Sequence, residues 1–355
     1  MKLIFVGDIM LGRGVYASLE KNGFEYVFGG IKDLLRNADG VIANLEAPFT
    51  NIGIPFKNKD LNMTFKINPD MAPALKHLGI SAVTLANNHV VDYGQQGLEL
   101  TKETLKKTGI NFTGAGNNVA EAVAPIEFTD DLNKESIGIF AFNAFTPFTR
   151  PARRRSAGVA QFDKITVDYA VKKYKTKYNG FIIILHWGID YCQFPIPQLI
   201  KFVKILIDQY PEIVAIVGHH PHLPQPVIYH KNKPIFCSLG NFIFDEPFAL
   251  SRIGSMLSLE IENNCIVNHS IQFTKLSNEM KLAPLPREES EIEIKRLSAI
   301  LDQINREDNE YKKVDKRWIK YLLRQAIRYQ SFDNLRYLFT LYSPFQILKK
   351  ILEND

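Results

Sequence analysis

The sequence predicts an α/β fold, in which helices cover the faces of a buried sheet. Apolar runs of strand length recur along the chain, and they are continuously apolar rather than alternating, which is typical of strands buried on both faces. These runs are 3–6, 40–43, 82–85, 137–142, 181–185 and 213–217. Stretches with helical periodicity lie between them, and this alternation favours an α/β arrangement over other fold classes.

Helices are predicted between these strands, around 24–36, 69–78, 95–108, 166–178 and 196–209. Helical periodicity then stops from about residue 226 to 275. The runs in this part of the chain predict mostly antiparallel strands at 226–229, 235–238, 256–261 and 266–273. Composition changes near Pro284-Leu285-Pro286, so we predict a main domain of residues 1–285.

Composition excludes several classes of protein. The 355 residues are 46% hydrophobic and 23% charged, as in an ordinary globular protein, and the net charge of +5 is too small to indicate a nucleic-acid partner. No run approaches the roughly 18 apolar residues of a membrane span, and the first apolar run is too short for a signal-peptide core. Three widely spaced cysteines suit neither a disulfide framework nor a Cys-rich zinc site. We therefore predict a cytoplasmic protein.

Residues 286–355 are predicted to form a basic, helical C-terminal tail. Within 311–350, ten side chains are basic and two are acidic. An apolar stripe and a basic stripe repeat there at helical spacing, and they consist of Ile319, Leu322, Leu323 and Ala326 and of Arg317, Lys320, Arg324 and Arg328. One interpretation is a helical hairpin that packs on the main domain or in a homo-oligomer. The other is a surface contact with an acidic polymer or with anionic lipid of the inner membrane face.

Residues of the types that bind metals follow the predicted strands one by one. In an open α/β fold, functional groups collect just beyond the carboxyl ends of the strands, and the candidates there are Asp8, Glu46, Asn88, His89, His186, His220 and His222. Carboxylate, amide and imidazole donors together suit Mn, Fe or Zn better than Ca²⁺ or a thiolate-seeking metal. Six or seven ligands are too many for one tetrahedral zinc. We therefore predict two divalent ions about 3.5–4 Å apart, with Glu46 as the bridging carboxylate.

Each candidate also has a structural explanation. A lone aspartate such as Asp8 usually caps a helix, and Asn44 suits a turn. The Asn87-Asn88-His89 segment also suits a turn, and His186 could be a core histidine bonded to the backbone. His219 is more readily structural than a ligand, because two better-placed histidines follow it. The joint occurrence of these residues at successive strand ends favours the metal site.

Six motifs occur in the order found in one protein family. They are Gly7-Asp8-Ile9-Met10-Leu11-Gly12-Arg13, Asn44-Leu45-Glu46-Ala47-Pro48, Ala86-Asn87-Asn88-His89-Val90-Val91-Asp92-Tyr93-Gly94, His186-Trp187-Gly188-Ile189-Asp190-Tyr191, Gly218-His219-His220-Pro221-His222 and Ser238-Leu239-Gly240-Asn241-Phe242. On these motifs the chain resembles the CapA family of poly-γ-glutamate and capsule synthesis proteins, a branch of the calcineurin-like metallophosphoesterase superfamily. The resemblance covers residues 1 to about 245.

The resemblance implies a four-layer α/β/β/α sandwich with two metals at one edge of its paired sheets. It implies that Asp8 binds the first metal, that Glu46 bridges, and that Asn88 binds the second metal. The remaining implied ligands are His186, His220 and His222.

The chain departs from the superfamily at two points. The usual D-x-H opening is here Asp8-Ile9-Met10, so one metal is expected to be held more weakly or to use Asn44 or a water. CapA-like proteins often carry Glu where this chain has Asp190. Asn241 is a further candidate site residue, with a turn as its structural explanation.

The implied function is a metal-dependent, phosphoesterase-like hydrolase in the synthesis of capsule, poly-γ-glutamate or a related surface polymer, acting through a hydroxide activated by two metals. His89 would protonate the leaving oxygen or stabilise phosphoryl charge, and Asp92 would orient His89. Arg13 would bind an anion of the polymer or phosphoester substrate. Two alternatives are a non-catalytic, metal-bearing polymer-assembly subunit and a γ-glutamyl amide or ester metallohydrolase. The basic tail would then contact the membrane or the capsule-synthesis machinery.

Overall fold

The computed structural model describes residues 1–56, 59–130, 135–144, 148–329, 339 and 341–352. Its strands are β1 (Lys2–Ile9), β2 (Gly40–Leu45), β3 (Ala82–Thr84), β4 (Asn111–Thr113), β5 (Ala115–Gly116), β6 (Ile126–Asp130), β7 (Glu135–Asn143), β8 (Gly158–Val159), β9 (Gly180–His186), β10 (Ile213–His219), β11 (Pro224–His230), β12 (Lys233–Leu239), β13 (Asn241–Ile243), β14 (Ile253–Glu262), β15 (Cys265–Leu276) and β16 (Leu282–Pro284).

Helices lie between the strands and after them. They are α1 (Arg13–Asn22), α2 (Phe24–Phe28), α3 (Ala72–His77), α4 (Gly94–Thr108), α5 (Val119–Ala122), α6 (Lys164–Tyr174), α7 (Pro197–Gln209), α8 (Arg287–Asn305), α9 (Asn309–Tyr329) and α10 (Pro344–Leu352). Short 3-10 helices cover Lys32–Leu35, Leu61–Met63, Pro69–Met71 and Leu250–Arg252.

The strands form two large sheets. The first has the order β16-β15-β14-β1-β2-β3-β4, with β13 paired to the end of β1, and the second has the order β11-β12-β10-β9-β7-β6. The strands from β1 to β4 are parallel, and so are β7, β9, β10 and β12. The late strands β14, β15 and β16 pair antiparallel, as predicted for the later runs. The predicted strand at 235–238 lies in β12, which pairs antiparallel with β11 but parallel with β10.

Three apolar layers show how the two sheets and their helices stack. In β1, Leu3 and Phe5 pack between the two sheets, whereas the alternate residues Ile4 and Val6 pack under the helices α1, α3 and α4. The second sheet alternates in the same way. Its outward residues pack against the helices α6 and α7. The order is therefore helix, sheet, sheet, helix, and the predicted four-layer α/β/β/α sandwich is confirmed.

One predicted helix was wrong in extent, and another helix was missed. Residues 24–36 form only the short helix α2 and a 3-10 turn, because Gly29 and Gly30 follow α2 directly. The unpredicted helix α1 begins after Gly12, which offers no side chain to cap it, and it contains a second glycine near its start. Gly23 then ends α1 with a φ of +81°, a conformation that favours glycine. These glycines interrupt the apolar periodicity, so the sequence pattern did not predict this helix.

The C-terminal helices α8 and α9 pack on the main domain. Ile304 of α8 and Val314, Trp318 and Leu322 of α9 lie in the same apolar layer as α7. Gln198 at the start of α7 donates its backbone N–H to Asp315 of α9, at 3.2 Å. Ile319 and Leu322 of the apolar stripe are thus buried in this layer. The part of α9 that could contact an anionic partner is its charged face. The side chains of Ala326 and Arg328 lie outside the described residues.

Within the described ranges, no helix is both long and apolar enough to cross a membrane.

We expect Trp318→Ala to lower the free energy of unfolding by about 3–5 kcal/mol, because a fully buried indole would leave a cavity in the layer beneath α7. Urea denaturation followed by circular dichroism measures this loss. Arg317→Ala is the matched control, since its exposed neighbouring side chain should cost no more than about 0.5 kcal/mol. Equal, small effects of both substitutions would contradict the packing of α9 on the main domain.

Candidate metal centre

The carboxyl ends of the central strands of both sheets meet at one edge of the sandwich. Asp8 at the end of β1 pairs in register with Asn44 of β2 on one side and with Asn241 of β13 on the other. In the second sheet, His186 of β9 pairs with His219 of β10. Polar residues that follow buried strands in sequence are therefore brought together in space, as the strand-end rule predicts.

Gly7 makes the close approach of β13 possible. A Cβ atom at this position would lie 2.0 Å from the carbonyl oxygen of Gly240. With glycine there, the backbone N–H of Asp8 donates to that same carbonyl oxygen at 3.0 Å. The chain after β12 is thereby fixed against the residue that carries the first predicted ligand.

Asp8 is a buried carboxylate held by hydrogen bonds. Its Oδ1 accepts from Asn44 Nδ2 at 2.8 Å and from His219 Nδ1 at 3.0 Å. Its Oδ2 lies 3.4 Å from His222 Nδ1. Burial by itself raises the pKa of Asp8, but the hydrogen bonds and charges of His219 and His222 outweigh it and hold that pKa well below its ordinary value. Asp8 is therefore ionised, and the hydrogen bond from His219 of β10 fixes the orientation of its carboxylate.

Glu46 has the opposite electrostatic situation. It is fully buried, its Oε2 accepts from Asn44 Nδ2, and its Oε1 has no hydrogen-bond partner. Burial first, and then the negative charge of Asp8, raise the pKa of Glu46 well above its ordinary value. Buried charges in proteins are paired or bind metals. A cation between these two carboxylates would offset both the cost of burying the charge of Glu46 and its repulsion from Asp8.

The histidines beside Glu46 offer unpaired nitrogen atoms. Neither ring nitrogen of His220 has a hydrogen-bond partner, and the same holds for His186 Nδ1. His186 Nε2 lies 3.6 Å from Glu46 Oε1 and 2.9 Å from Asn88 Oδ1. Burial lowers the pKa of both histidines, so their rings are neutral, which is the form that ligates metals. The donor set of Glu46, His186 and His220, with all donor atoms within 4.8 Å of one another, fits a divalent ion.

His222 lies on the other side of Asp8. Its Nδ1 lies 2.8 Å from Asn241 Oδ1, and its Nε2 lies 4.0 Å from Asp190 Oδ1. Burial lowers the pKa of His222, but the hydrogen bond and charge of Asp8, together with the charges of Glu46 and Asp190, raise it to about 10. Asp190 was not predicted as a site residue. It follows β9 within the same motif as His186, and that position was the available signal.

Two buried amides connect the carboxylates. Asn44 donates to both Asp8 and Glu46, and its own Oδ1 accepts from Asn87 Nδ2 at 3.1 Å. Asn87 also donates to the carbonyl oxygen of Leu45 at 2.7 Å. The sequence left a turn as the explanation for both residues. In the structure they fix the positions of the acidic side chains.

His89 lies in a second buried group at the edge of the site. Its Nδ1 is 2.8 Å from Asp92 Oδ2, as expected if Asp92 orients it, and the ring of Phe65 stacks on it at 4.1 Å between centroids. Lys59 was missed, because it lies in a loop with no neighbouring strand end. Its Nζ lies 2.5 Å from Asp92 Oδ1 and 3.1 Å from His89 Nδ1. Burial, followed by the charge of Lys59, lowers the pKa of His89 to about 4.

Arg13 has protein partners for its charge. It donates to Asp245 at 2.7 Å and to Glu246 at 3.2 Å, and its guanidinium lies over the rings of Phe65 and Phe244 at 4.9 and 5.1 Å. Through Phe65 it supports the ring of His89. Two carboxylates already neutralise this guanidinium, so the contacts favour a positioning role, and the anion-binding role predicted for Arg13 stays a prediction.

All six predicted metal ligands thus lie at one sheet edge, with His89 beside them. Residues 2–246 match the family model described as "Bacterial capsule synthesis protein PGA_cap". The chain belongs to this family of bacterial capsule synthesis proteins. The predicted resemblance to CapA proteins is thereby confirmed.

Named relatives agree with this assignment. The chain is 28% identical over 260 residues to the PGA biosynthesis protein CapA of Bacillus subtilis, which covers 73% of this chain and 67% of that protein. It is 29% identical over 269 residues to the capsule biosynthesis protein CapA of Bacillus anthracis, covering 74% and 64%. The chain therefore spans about two thirds of the length of these relatives.

Among solved structures, the calcineurin-like phosphoesterase YfkN from Bacillus subtilis superposes with a TM-score of 0.43 at 14% identity, over 78% of this chain and 90% of that one.

We expect Lys59→Met to lower the free energy of unfolding of the metal-free protein by about 3–5 kcal/mol, because Asp92 would keep a buried charge without its cation. Urea denaturation measures the loss. The double variant Lys59→Met/Asp92→Asn should recover part of it, since it also removes the unpaired charge.

Lys66→Met is the control, because this lysine is exposed and contacts only the ring of Tyr93 among the contacts described. If Lys59→Met cost no more than Lys66→Met, the buried ion pair would not contribute to folding.

Proposed function

We propose that this protein is a metal-dependent, phosphoesterase-like hydrolase in the synthesis of capsule, poly-γ-glutamate or a related surface polymer. The observation that carries the proposal is the buried group of Glu46, His186 and His220, whose donor atoms lie within 4.8 Å of one another. Glu46 Oε1, both ring nitrogens of His220 and Nδ1 of His186 have no hydrogen-bond partner. Unsatisfied buried polar atoms are rare in native proteins, and a bound ion explains them. The names of the CapA relatives support the polymer context.

Two divalent ions, Mn, Fe or Zn, are proposed to bind here. Glu46, Asn88 and His186 would hold one of them, and Asp8, Glu46 and His222 would hold the other. His220 lies between the two groups and would complete one of them, so the ligands are the six predicted residues. Bound ions of this kind lower the pKa of water toward neutrality and polarise a phosphoryl or carbonyl oxygen.

The protein's own residues prepare the site before substrate arrives. Asn44 donates to Asp8 and Glu46 together, so the two carboxylates cannot rotate independently. His219 Nδ1 makes a second hydrogen bond to Asp8 Oδ1, at 3.0 Å. Such preorganised contacts reduce the reorganisation that a reaction would otherwise require.

His89 is the residue proposed to act on the leaving group. Asp92 and Lys59 both contact its Nδ1, so Nε2 is the nitrogen available to a substrate. Phe65 covers one face of the ring and keeps water from it. His89 would stabilise phosphoryl charge or, once the negative charge of a bound phosphoester raises its lowered pKa, donate a proton from Nε2 to the departing oxygen. General acid catalysis of this kind contributes about 10²–10⁴-fold to a rate.

A metal-bearing assembly subunit without turnover is the second candidate function. The observation that favours it is Met10, whose fully buried thioether packs in the layer under the helices and offers no oxygen or nitrogen donor. A centre with a weakly held ion would organise a polymer but hydrolyse it slowly. For both candidate functions we propose a cytoplasmic location and a contact between the charged face of α9 and an anionic partner.

Purified wild-type protein reconstituted with Mn²⁺ is expected to contain about two ions per chain and to hydrolyse a phosphodiester reporter. His220→Ala/His222→Ala should lose metal and at least about 100-fold of the rate, because the proposed centre loses two imidazole ligands. Metal content is measured by mass spectrometry, and γ-glutamyl amides are tested in parallel.

His230→Ala is the matched control, since this histidine at the far end of β11 is part-exposed and pairs with Asp208 of α7. Hydrolysis of γ-glutamyl amides but not phosphodiesters would overturn the phosphoesterase assignment. Two bound ions with neither activity would favour the assembly subunit.

His89→Ala should keep both ions and lose about 10²–10⁴-fold in kcat, because His89 is proposed to touch substrate and not metal. Steady-state kinetics and metal analysis of the same preparation measure the two quantities. A proportional loss of metal and rate would mean that His89 supports the ions instead.

A further inference from the structure

Asp190 lies where it was not expected, against the two histidines of the β10–β11 turn. Its Oδ1 is 3.4 Å from His220 Nε2 and 4.0 Å from His222 Nε2. Ligand atoms of the three residues all lie within 4.8 Å of one another. His220 also belongs to the group of Glu46 and His186, so this histidine lies between two clusters of donor atoms.

These contacts are not ordinary hydrogen bonds. His220 is almost completely buried, and neither of its nitrogens is hydrogen-bonded, although Asp190 is its near neighbour. A carboxylate oxygen and an imidazole nitrogen that face each other at 3.4 Å without bonding are arranged as two ligands of one ion are. Adjacent ligands of an ion at about 2.1 Å would be roughly 3 Å apart.

The segment that carries Asp190 is held in place from both sides. The backbone N–H of Tyr191 donates to the carbonyl oxygen of Pro221 at 2.9 Å, which ties the segment to the turn between His220 and His222. The Tyr191 hydroxyl donates to Glu246 Oε2 at 2.6 Å, and Tyr191 has a φ of +57°. A non-glycine residue in this conformation is uncommon and persists where surrounding contacts fix it.

We infer that Asp190 is a metal ligand, which binds a divalent ion together with His220 and His222. This inference rests on the proposed function only in requiring a metal centre, not in requiring hydrolysis. Met10 stands where the superfamily has a histidine, and its buried thioether offers no oxygen or nitrogen ligand. The carboxylate of Asp190, which follows β9 of the second sheet, supplies a hard oxygen ligand to the same centre. Because the Asp190 side chain is 37% exposed, its ion would be the one nearer to solvent.

The test is titration of the metal-free, full-length protein with Mn²⁺, in which the electron paramagnetic resonance signal of free Mn²⁺ gives stoichiometry and affinity. Wild type is expected to bind two ions. Asp190→Ala should weaken the ion of lower affinity at least about 10-fold and leave the tighter ion unchanged, since loss even of outer contacts to ligands costs about 10–100-fold. Asp190→Glu, which keeps a carboxylate, should retain more affinity than Asp190→Asn.

Asp245→Asn is the control for charge. It removes one carboxylate charge from the same region, at a residue that contacts Arg13 and Gly14 rather than a histidine. Equal weakening by Asp190→Ala and Asp245→Asn would overturn ligation and indicate a general electrostatic effect. Two ions of unchanged affinity in Asp190→Ala would also overturn it, while leaving the proposed function intact.

Folding is checked in the same preparations by circular dichroism, and Asp190→Asn is nearly isosteric with the native side chain. Selective loss of one ion supports the inference even if wild type hydrolyses no substrate, a result that would overturn the proposed function alone. Absence of Mn²⁺ binding in wild type would overturn both.

Discussion

The burial of two acidic side chains at adjoining strand ends is the constraint on which the site depends. Asp8 and Glu46 are both fully buried and share the amide of Asn44. Like charges at this depth are costly unless something positive lies near them. Histidines from the opposite sheet approach from one side, and both ring nitrogens of His220 and Nδ1 of His186 have no hydrogen-bond partner. The arrangement is unfavourable as a folding element and well suited to a cation.

The same edge joins parts of the chain that are far apart in sequence. Asp8 receives contacts from the β2 end, the β10–β11 turn and β13, so the first sheet alone cannot complete its surroundings. Inter-sheet packing between residues such as Phe5 and Ile184 sets the spacing of the two halves. Changes in that apolar layer would therefore alter the distance between carboxylates and imidazoles without touching either group.

Much of the fold could be predicted because it follows from apolar patterning. Central strands such as β9 are continuously apolar, so their positions along the chain were evident from the sequence, whereas their order within each sheet was not. The helix α1 was not evident, because glycines at its start and end interrupt the pattern that identifies helices. Short strands such as β13 were missed for a different reason: three residues carry too little periodicity, and the strand exists because Gly7 admits it.

The predicted ligands could be found because strand ends impose their position. Lys59 could not be found in this way, since a loop brings it to the site through contacts with distant residues. Asp190 was missed although it follows β9 in the motif of His186, because its contacts with His220 and His222 are not visible in the sequence. The structure also changes the meaning of Asn44 and Asn87, whose turn-forming tendency was visible but whose side-chain hydrogen bonds were not. Local sequence reports which residue types are present, and loop closure decides which of them meet.

The position of β1 between β2 and β14 has a consequence for the order of folding. Lys2 to Val6 pair with residues 256–260, about 250 positions later in the chain. During synthesis from the N-terminus, one edge of β1 stays unpaired until nearly three quarters of the protein has left the ribosome. Such non-local pairing raises contact order and slows folding. An apolar strand edge that is exposed for that time is a site for self-association or chaperone binding. The yield of folded protein therefore depends on how long β1 stays unpaired before β14 is synthesised.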